Sequence, residues 1–427
     1  MGKSEQRGFR ASSVTGSVLV GTLVVVGCGG DDSGGGDVEL RLGFWGADNR
    51  VQATEEIVEA FEAENPGVSI EIEYADWSGY WERLPTQIAG DDAPDIMQFS
   101  NPYLREYAER GSLLPLTDVD RSDLDDSVVD SGVIDGEVYG VPVGINVMAF
   151  AANVDLFEEA GVEIPDDESW TWDDLQEVTE EVSGATEVYG MGAPIQEATL
   201  EIWLRQMGKG ITDENDQVGF DPEDAAEYFG MLTDLEESGG MPPADVLSEQ
   251  HSGTDDQLLI RNNEAAIGME WNSWFGQLHE VTGGNEFEIM RFPSHTGEPE
   301  DNGLYSNVSM FFSGSAQTDY PEEVQQFIDF MVNSEEAGLI DMGERGFPAN
   351  VEVRDTVTPE LDEQTQVAAE YVDEIEDELG EPRPVTPLGF EPVLDEIYDH
   401  ELAVLFGEMT PEEAGESLVA AIEAEIS

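Results

Sequence analysis

Residues 38–74, VELRLGFWGADNRVQATEEIVEAFEAENPGVSIEIEY, change their hydrophobic period twice. Val38 to Phe44 alternates apolar and polar positions, as a strand with one buried face does. From Thr54 to Glu64 the period lengthens, and Ile57, Val58 and Phe61 fall on one helical face before Asn65-Pro66-Gly67 stops the helix. Val68 to Tyr74 then alternates again as a second strand. Further strands at Asp95–Phe99 and Val138–Val143 repeat this order, which predicts an α/β layer with a mostly parallel sheet.

A second α/β region begins near Val147. Helices are expected around Trp172–Val182, Leu200–Met207 and Pro222–Glu237, with a strand at Ala265–Met269 and a helix after Trp271. An apolar strand at Val308–Phe312 leads into the helix Pro321–Val332, whose Val324, Phe327, Ile328 and Met331 face inward. The chain closes with a helix from Pro411 to Ile426, opened by Thr410 as N-cap and by Glu413 in a capping box. A chain of 427 residues exceeds what one hydrophobic core usually serves, so two domains are expected.

The chain carries 96 acids against 16 bases, a formal net charge of −80. The carboxylates lie on nearly every polar stretch from Asp48 to Glu425, so they describe a whole surface and not an interaction tail. Only Lys3 and Lys209 are lysines. This is expected of a protein working in molar salt, and it resembles the halophilic archaeal type: there the Debye length shrinks to about 3 Å, and self-repulsion becomes tolerable. Nucleic acid is excluded as a partner, because it demands clustered Lys and Arg.

At the N-terminus Lys3, Arg7 and Arg10 precede an apolar run from Val14 to Val26, too short to span a bilayer stably. Val25-Val26-Gly27-Cys28 resembles a lipobox, so residues 1–28 are expected to be a lipoprotein signal peptide whose cleavage leaves a lipid on Cys28, the only cysteine. Residues 29–37, GGDDSGGGD, are a flexible linker. After Val26 no apolar stretch is long enough for a transmembrane helix.

Six blocks in order carry a family likeness: FEAENPGVSIEIEY (61–74), GYWERLPTQIAGDDAPDIMQFSNPYLREYAERGSLLPL (79–116), DGEVYGVPVGINVMAFAANVDLFEEAGVEIPDDESWTWDDL (135–175), NNEAAIGMEWNSWFGQL (262–278), FIDFMVNSEEAG with ERGFPAN (327–350), and TPEEAGESLVAAIEAEI (410–426). Together they resemble the extracellular solute-binding proteins of ABC importers, in particular the sugar-binding group that includes maltose-binding protein. The resemblance implies a two-lobed, type II periplasmic-binding-protein-like α/β fold whose chain crosses between lobes three times. The crossings are placed near Val141–Asn146, Tyr305–Val308 and Arg345–Asn350. Residues 38–144 and 308–345 would then form lobe 1, and 145–307 and 346–427 lobe 2. It also implies an extracellular, lipid-anchored monomer that captures a neutral sugar and delivers it to ABC permease subunits in the membrane.

Sugars offer apolar C–H faces and hydroxyl rims, so flat aromatics, amides and carboxylates are the side chains to look for. Trp45 follows the first strand's carboxyl end, where open α/β sheets place ligands. Asp48, three residues on, either accepts from hydroxyls or caps the following helix. Asn101 follows the strand Asp95–Phe99 in the same way, and Tyr103 either joins it or starts the next helix. In EWNSW, Glu270, Trp271 and Trp274 follow a strand of the second lobe, with one tryptophan facing the ligand and the other the core. Asn146, Asn307 and Arg345 lie at the crossings. Tyr80 and Trp81 are expected to pack the helix Glu82–Ala89 that follows Trp77.

An enzyme reading, a secreted glycoside hydrolase, would need two carboxylates about 5–10 Å apart, which 96 acids supply by chance. No GxSxG, HExxH or GxxxxGK occurs, and His251, His279, His295 and His400 are dispersed, so no catalytic residue, metal or cofactor is expected. A receptor for a polyol, glycerol phosphodiester or peptide is a further alternative. An anionic ligand would want converging bases, and only Arg50 and Arg345 are placed to supply them.

Overall fold

The computed structural model describes residues 38–192, 196–251, 258–383 and 385–426. The signal peptide, Cys28 and the linker lie outside them.

The first sheet runs in the order Val68–Ala75, Val38–Trp45, Ile96–Phe99, Phe311–Ser315, Leu113–Leu114, with Val141–Pro142 alongside Phe311–Ser315. The first three strands are parallel, and Phe311–Ser315 joins antiparallel with Phe311 opposite Phe99. The helix between the first two strands spans Asp48–Glu64, six residues longer at its start than the apolar periodicity predicts. Its added first turn carries the exposed Asp48 and Asn49, which present no apolar face to read. Phe61 meets Phe327 of the helix Pro321–Asn333 edge to face at 5.1 Å, which binds the chain's two distant contributions into one core.

The second sheet runs Tyr189–Met191, Ala265–Trp271, Met148–Asn153, Phe287–Met290. It is mixed: Met148–Asn153 lies antiparallel to both its neighbours, and only the outer pair is parallel. The C-terminal helices Glu391–Leu405 and Pro411–Glu425 pack on Pro222–Ser238. Thr410 and Glu413 form the expected capping box.

Between the two cores lies a small sheet of Asn307–Val308, Gly144–Asn146 and Phe347–Pro348. One core draws on residues up to Ile145 and again from Val308 to Ala349, and the other on Val147 to Tyr305 and again from Phe347 onward. The chain therefore changes core within this sheet each time. Gly144 is needed at its centre, since a Cβ there would lie 2.4 Å from the Arg345 carbonyl oxygen.

Candidate ligand-binding site

Strand direction brings the site together. The parallel strands of the first sheet end at Trp45, Ala75 and Phe99, and Trp77, Asn101 and Tyr103 follow directly. Because Phe311 pairs with both Phe99 and Pro142, the chain enters and leaves the crossing sheet at that same carboxyl edge. In the second sheet Met148 opens a strand directly after the crossing, and Trp271 closes the antiparallel neighbour opposite it. Both cores thus set aromatic side chains at the edges that adjoin the crossing sheet, where open α/β sheets bind ligands.

On the first core the rings form one cluster. Trp45 is 9% exposed and meets Trp77 edge to face at 5.0 Å, with Tyr80 at 5.6 Å and Trp81 at 5.8 Å. Trp81 stacks on Tyr103 at 3.6 Å and 12°. Tyr80 is buried, and its hydroxyl donates to the Gln98 carbonyl at 2.9 Å. Trp77 remains 44% exposed. The ring presented outward is therefore Trp77, and Trp45, the expected platform, lies behind it. Trp77 stands at the first position of the helix Trp77–Ala89, whose N-cap Asp76 accepts from Gly79 N–H at 2.7 Å. An aromatic at a capped helix start, two residues beyond a strand end, was the signal available in the sequence.

Asn101 and Tyr103 meet the second core. The Thr386 N–H donates to Asn101 Oδ1 and the Thr386 hydroxyl to the Asn101 carbonyl, each at 3.3 Å. Tyr103 is hydrogen-bonded to Glu391, and burial together with that carboxylate pushes its phenol far above the usual range. Two residues on, Arg105 Nη1 lies 2.7 Å from Asp216 Oδ1. Burial, Asp395 and Glu106 raise the Glu391 carboxyl in turn. Asn101 and Tyr103, each partly exposed, are thus engaged with the C-terminal part of the chain in this arrangement.

At the floor, Asn146 is buried and stands opposite Asn307 in register. A small cavity is lined by Asn307, Met148, Trp271 and Tyr305, with Ala198, Ile202 and Leu304 behind. Trp271 is the tryptophan that lines it. Trp274 lies under the Arg261 guanidinium, 5.0 Å from the ring centroid. Glu270, expected to accept from hydroxyls, is 2% exposed and holds Arg261 through two bonds of 3.0 Å. Its acid is a buried counter-ion rather than a rim acceptor.

Arg345 is fully buried in the first core, near the rings of Phe44 and Phe312, with Nη2 donating to Thr54 Oγ1 at 2.6 Å and Nη1 paired to Asp341. The expected ligand contact is instead an internal anchor of the third crossing. Arg50 donates to the Trp45 and Glu344 carbonyls at 3.1 and 2.7 Å; burial and the nearby Arg345 lower its pKa to about 10. Asp48 is exposed in the helix's first turn, and the N-cap is Ala47, so its side chain does not cap the helix. Among the described bases, all but Arg50 and Arg83 are ion-paired, which leaves no converging positive charge for an anionic ligand. No cluster of three or more His, Cys, Asp or Glu among the described residues could hold a metal.

This architecture is that of the two-lobed, type II solute-binding proteins. The chain belongs to the bacterial extracellular solute-binding protein family, whose model matches residues 56–369. A solved periplasmic oligogalacturonide binding protein of Yersinia enterocolitica, in complex with saturated digalacturonic acid, is similar with a TM-score of 0.79 and 23% identity, covering 91% of this chain and 100% of that one. An ABC substrate-binding protein of Listeria monocytogenes in complex with cycloalternan is similar with a TM-score of 0.78, 23% identity, and coverage of 91% and 98%. By sequence, the arabinooligosaccharide-binding protein of Bacillus subtilis (strain 168) is 26% identical over 233 residues, 52% of this chain and 53% of that protein.

Proposed function

We propose that the protein captures a neutral sugar or oligosaccharide between its two lobes and delivers it, unchanged, to the membrane subunits of an ABC importer. The observation that carries this is an outward aromatic ring, Trp77, after the carboxyl edge of the first sheet, and Trp271 with Asn307 lining a cavity beside the crossing sheet, without converging bases. Flat rings suit sugar C–H faces, and amides suit hydroxyls. The relatives named above are an oligogalacturonide binding protein, a protein solved with cycloalternan and an arabinooligosaccharide-binding protein, which supports an oligosaccharide ligand; its neutrality rests on the paired bases alone. A thermal-shift screen of neutral sugars, amino acids, polyols and phosphate esters in molar KCl tests it: stabilisation by neutral sugars without cleavage is expected, and stabilisation by peptides or phosphate esters alone refutes it.

The reading extends to where the protein works. Cys28 behind an apolar run, followed by a glycine-rich linker, supports a monomer tethered by lipid to the outer face of the membrane, and −80 charges spread along the chain support a working medium of molar salt. Labelling with a radioactive lipid precursor, lost in Cys28→Ser, checks the anchor.

A further inference from the structure

The small cavity at the floor of the site has a buried back and a partly exposed mouth. Met148, Ala198, Ile202 and Leu304 line the back and are buried, with Tyr305 beside them. Trp271 and Asn307 are the lining residues that stay partly exposed, so they mark the mouth, and Asn307 belongs to the crossing sheet. The surface that the cavity presents is almost wholly apolar.

Its walls are held by pairing and packing, so the space is preformed. Met148 and Trp271 pair across two strands. Ala198 and Ile202 stand one turn apart on the helix Glu197–Arg205 and share a face, where Ala198 contributes no more than a Cβ. The Arg205 guanidinium lies 4.4 Å from the centre of the Tyr305 ring and fixes that wall.

The space takes one small group, about the size of a water or a methyl. A buried water needs about three polar partners, which this back does not offer. A sugar hydroxyl pressed into it would give up its bonds to water and gain none. A methyl gives up nothing and gains burial. At the mouth, Asn307 is engaged only through its backbone among the described residues, so its amide remains for the polar groups that flank such a methyl.

We propose that the ligand is a sugar bearing a methyl group, on an acetamido substituent or at a 6-deoxy carbon, and that this methyl seats in the cavity behind Trp271 and Asn307. This rests on the sugar reading above and narrows it, because the same cavity selects against the counterpart that places a hydroxyl there.

The experiment titrates the purified full chain, in molar KCl, with two matched pairs, diacetylchitobiose against cellobiose and L-fucose against L-galactose, and with maltose and arabinobiose. The first pair reads an acetamido methyl and the second a ring methyl. In at least one pair the methyl-bearing sugar is expected to bind about tenfold tighter or more than its partner. Ala198→Val fills the cavity and is expected to remove that excess; Ile202→Phe fills it from the next turn should the first variant fail to fold. No preference in either pair, or binding of maltose or arabinobiose alone, overturns the assignment and leaves the sugar reading standing. A preference that the filled variant keeps overturns it equally, as does a filled variant that melts higher with every affinity unchanged, the mark of a mere packing void. If the wild-type chain binds none of these sugars, the sugar reading falls and takes the assignment with it.

Discussion

Arg105 Nη1 lies 2.7 Å from Asp216 Oδ1, and the two residues belong to different cores: Arg105 to the helix Asn101–Glu109, Asp216 to a loop between Ile211 and Val218. With the Asn101–Thr386 and Tyr103–Glu391 bonds, this pair holds one helix of the first core against the second. If the lobes open to admit a ligand, these contacts break. The pair is half exposed on the Asp216 side, so it contributes about 0–1 kcal/mol. Asp216→Asn is expected to shift the ligand-free population towards open forms by up to about fivefold in dilute buffer and scarcely at all in molar salt, as read by single-molecule energy transfer between labels on the two lobes.

Trp77 and Trp45 touch, yet their replacement is expected to have opposite signatures. Trp77→Ala removes an exposed ring and should weaken sugar binding by about 1–2 kcal/mol with little change in melting temperature. Trp45→Ala hollows out a cluster that includes Tyr80 and Trp81 and should cost about 3–5 kcal/mol of stability. Titration calorimetry and chemical denaturation of both variants separate the two effects.

Replacing Arg345 by alanine leaves the Asp341 carboxylate without its buried partner and empties the space near Phe44 and Phe312. Loss of about 3–5 kcal/mol of stability is expected. Because the guanidinium does not reach the site, the dissociation constant measured on folded variant should stay near that of the native protein; a selective loss of affinity would restore Arg345 as a ligand contact.

Glu401 is buried beside Tyr228, whose hydroxyl donates to it at 2.6 Å. Burial, above all, raises its pKa to about 8, with Glu197 adding to the rise. The folded chain keeps a proton that the unfolded chain releases near pH 4.5, so this contribution to stability is full below about pH 4.5 and is lost as pH rises to about 8. Glu401→Gln mimics the protonated acid. It should flatten that part of the stability–pH curve and leave the variant more stable than the native protein at pH 8, as measured by thermal melts across the range.

The alternation of Val38–Phe44 and Val68–Tyr74, the helical face of Ile57, Val58 and Phe61, and the Thr410–Glu413 cap are local patterns. Neighbours a few residues apart produce them, so the sequence by itself determined these elements and, with the family blocks, the two-lobed architecture. The tertiary structure alone decided which aromatic ring faces out and which charge is internal. Trp45 and Trp77 are equally plausible as rings after strands, but only packing buries Trp45 among Tyr80, Trp81 and Trp77 while leaving Trp77, which also touches Trp81, 44% exposed. Arg345 and Glu270 read as polar residues near a cleft; Arg345 is enclosed by Thr54 from a distant part of the chain, whereas Glu270 is held by Arg261 nine residues earlier, a pairing that the fold of the intervening turn and strand decides. Asn272 bonds twice to Val147, which precedes it by more than a hundred residues, a contact that no local pattern shows. Contacts over such separations depend on the register of paired strands, here Trp271 opposite Met148, and strand register is set by the folded sheet as a whole.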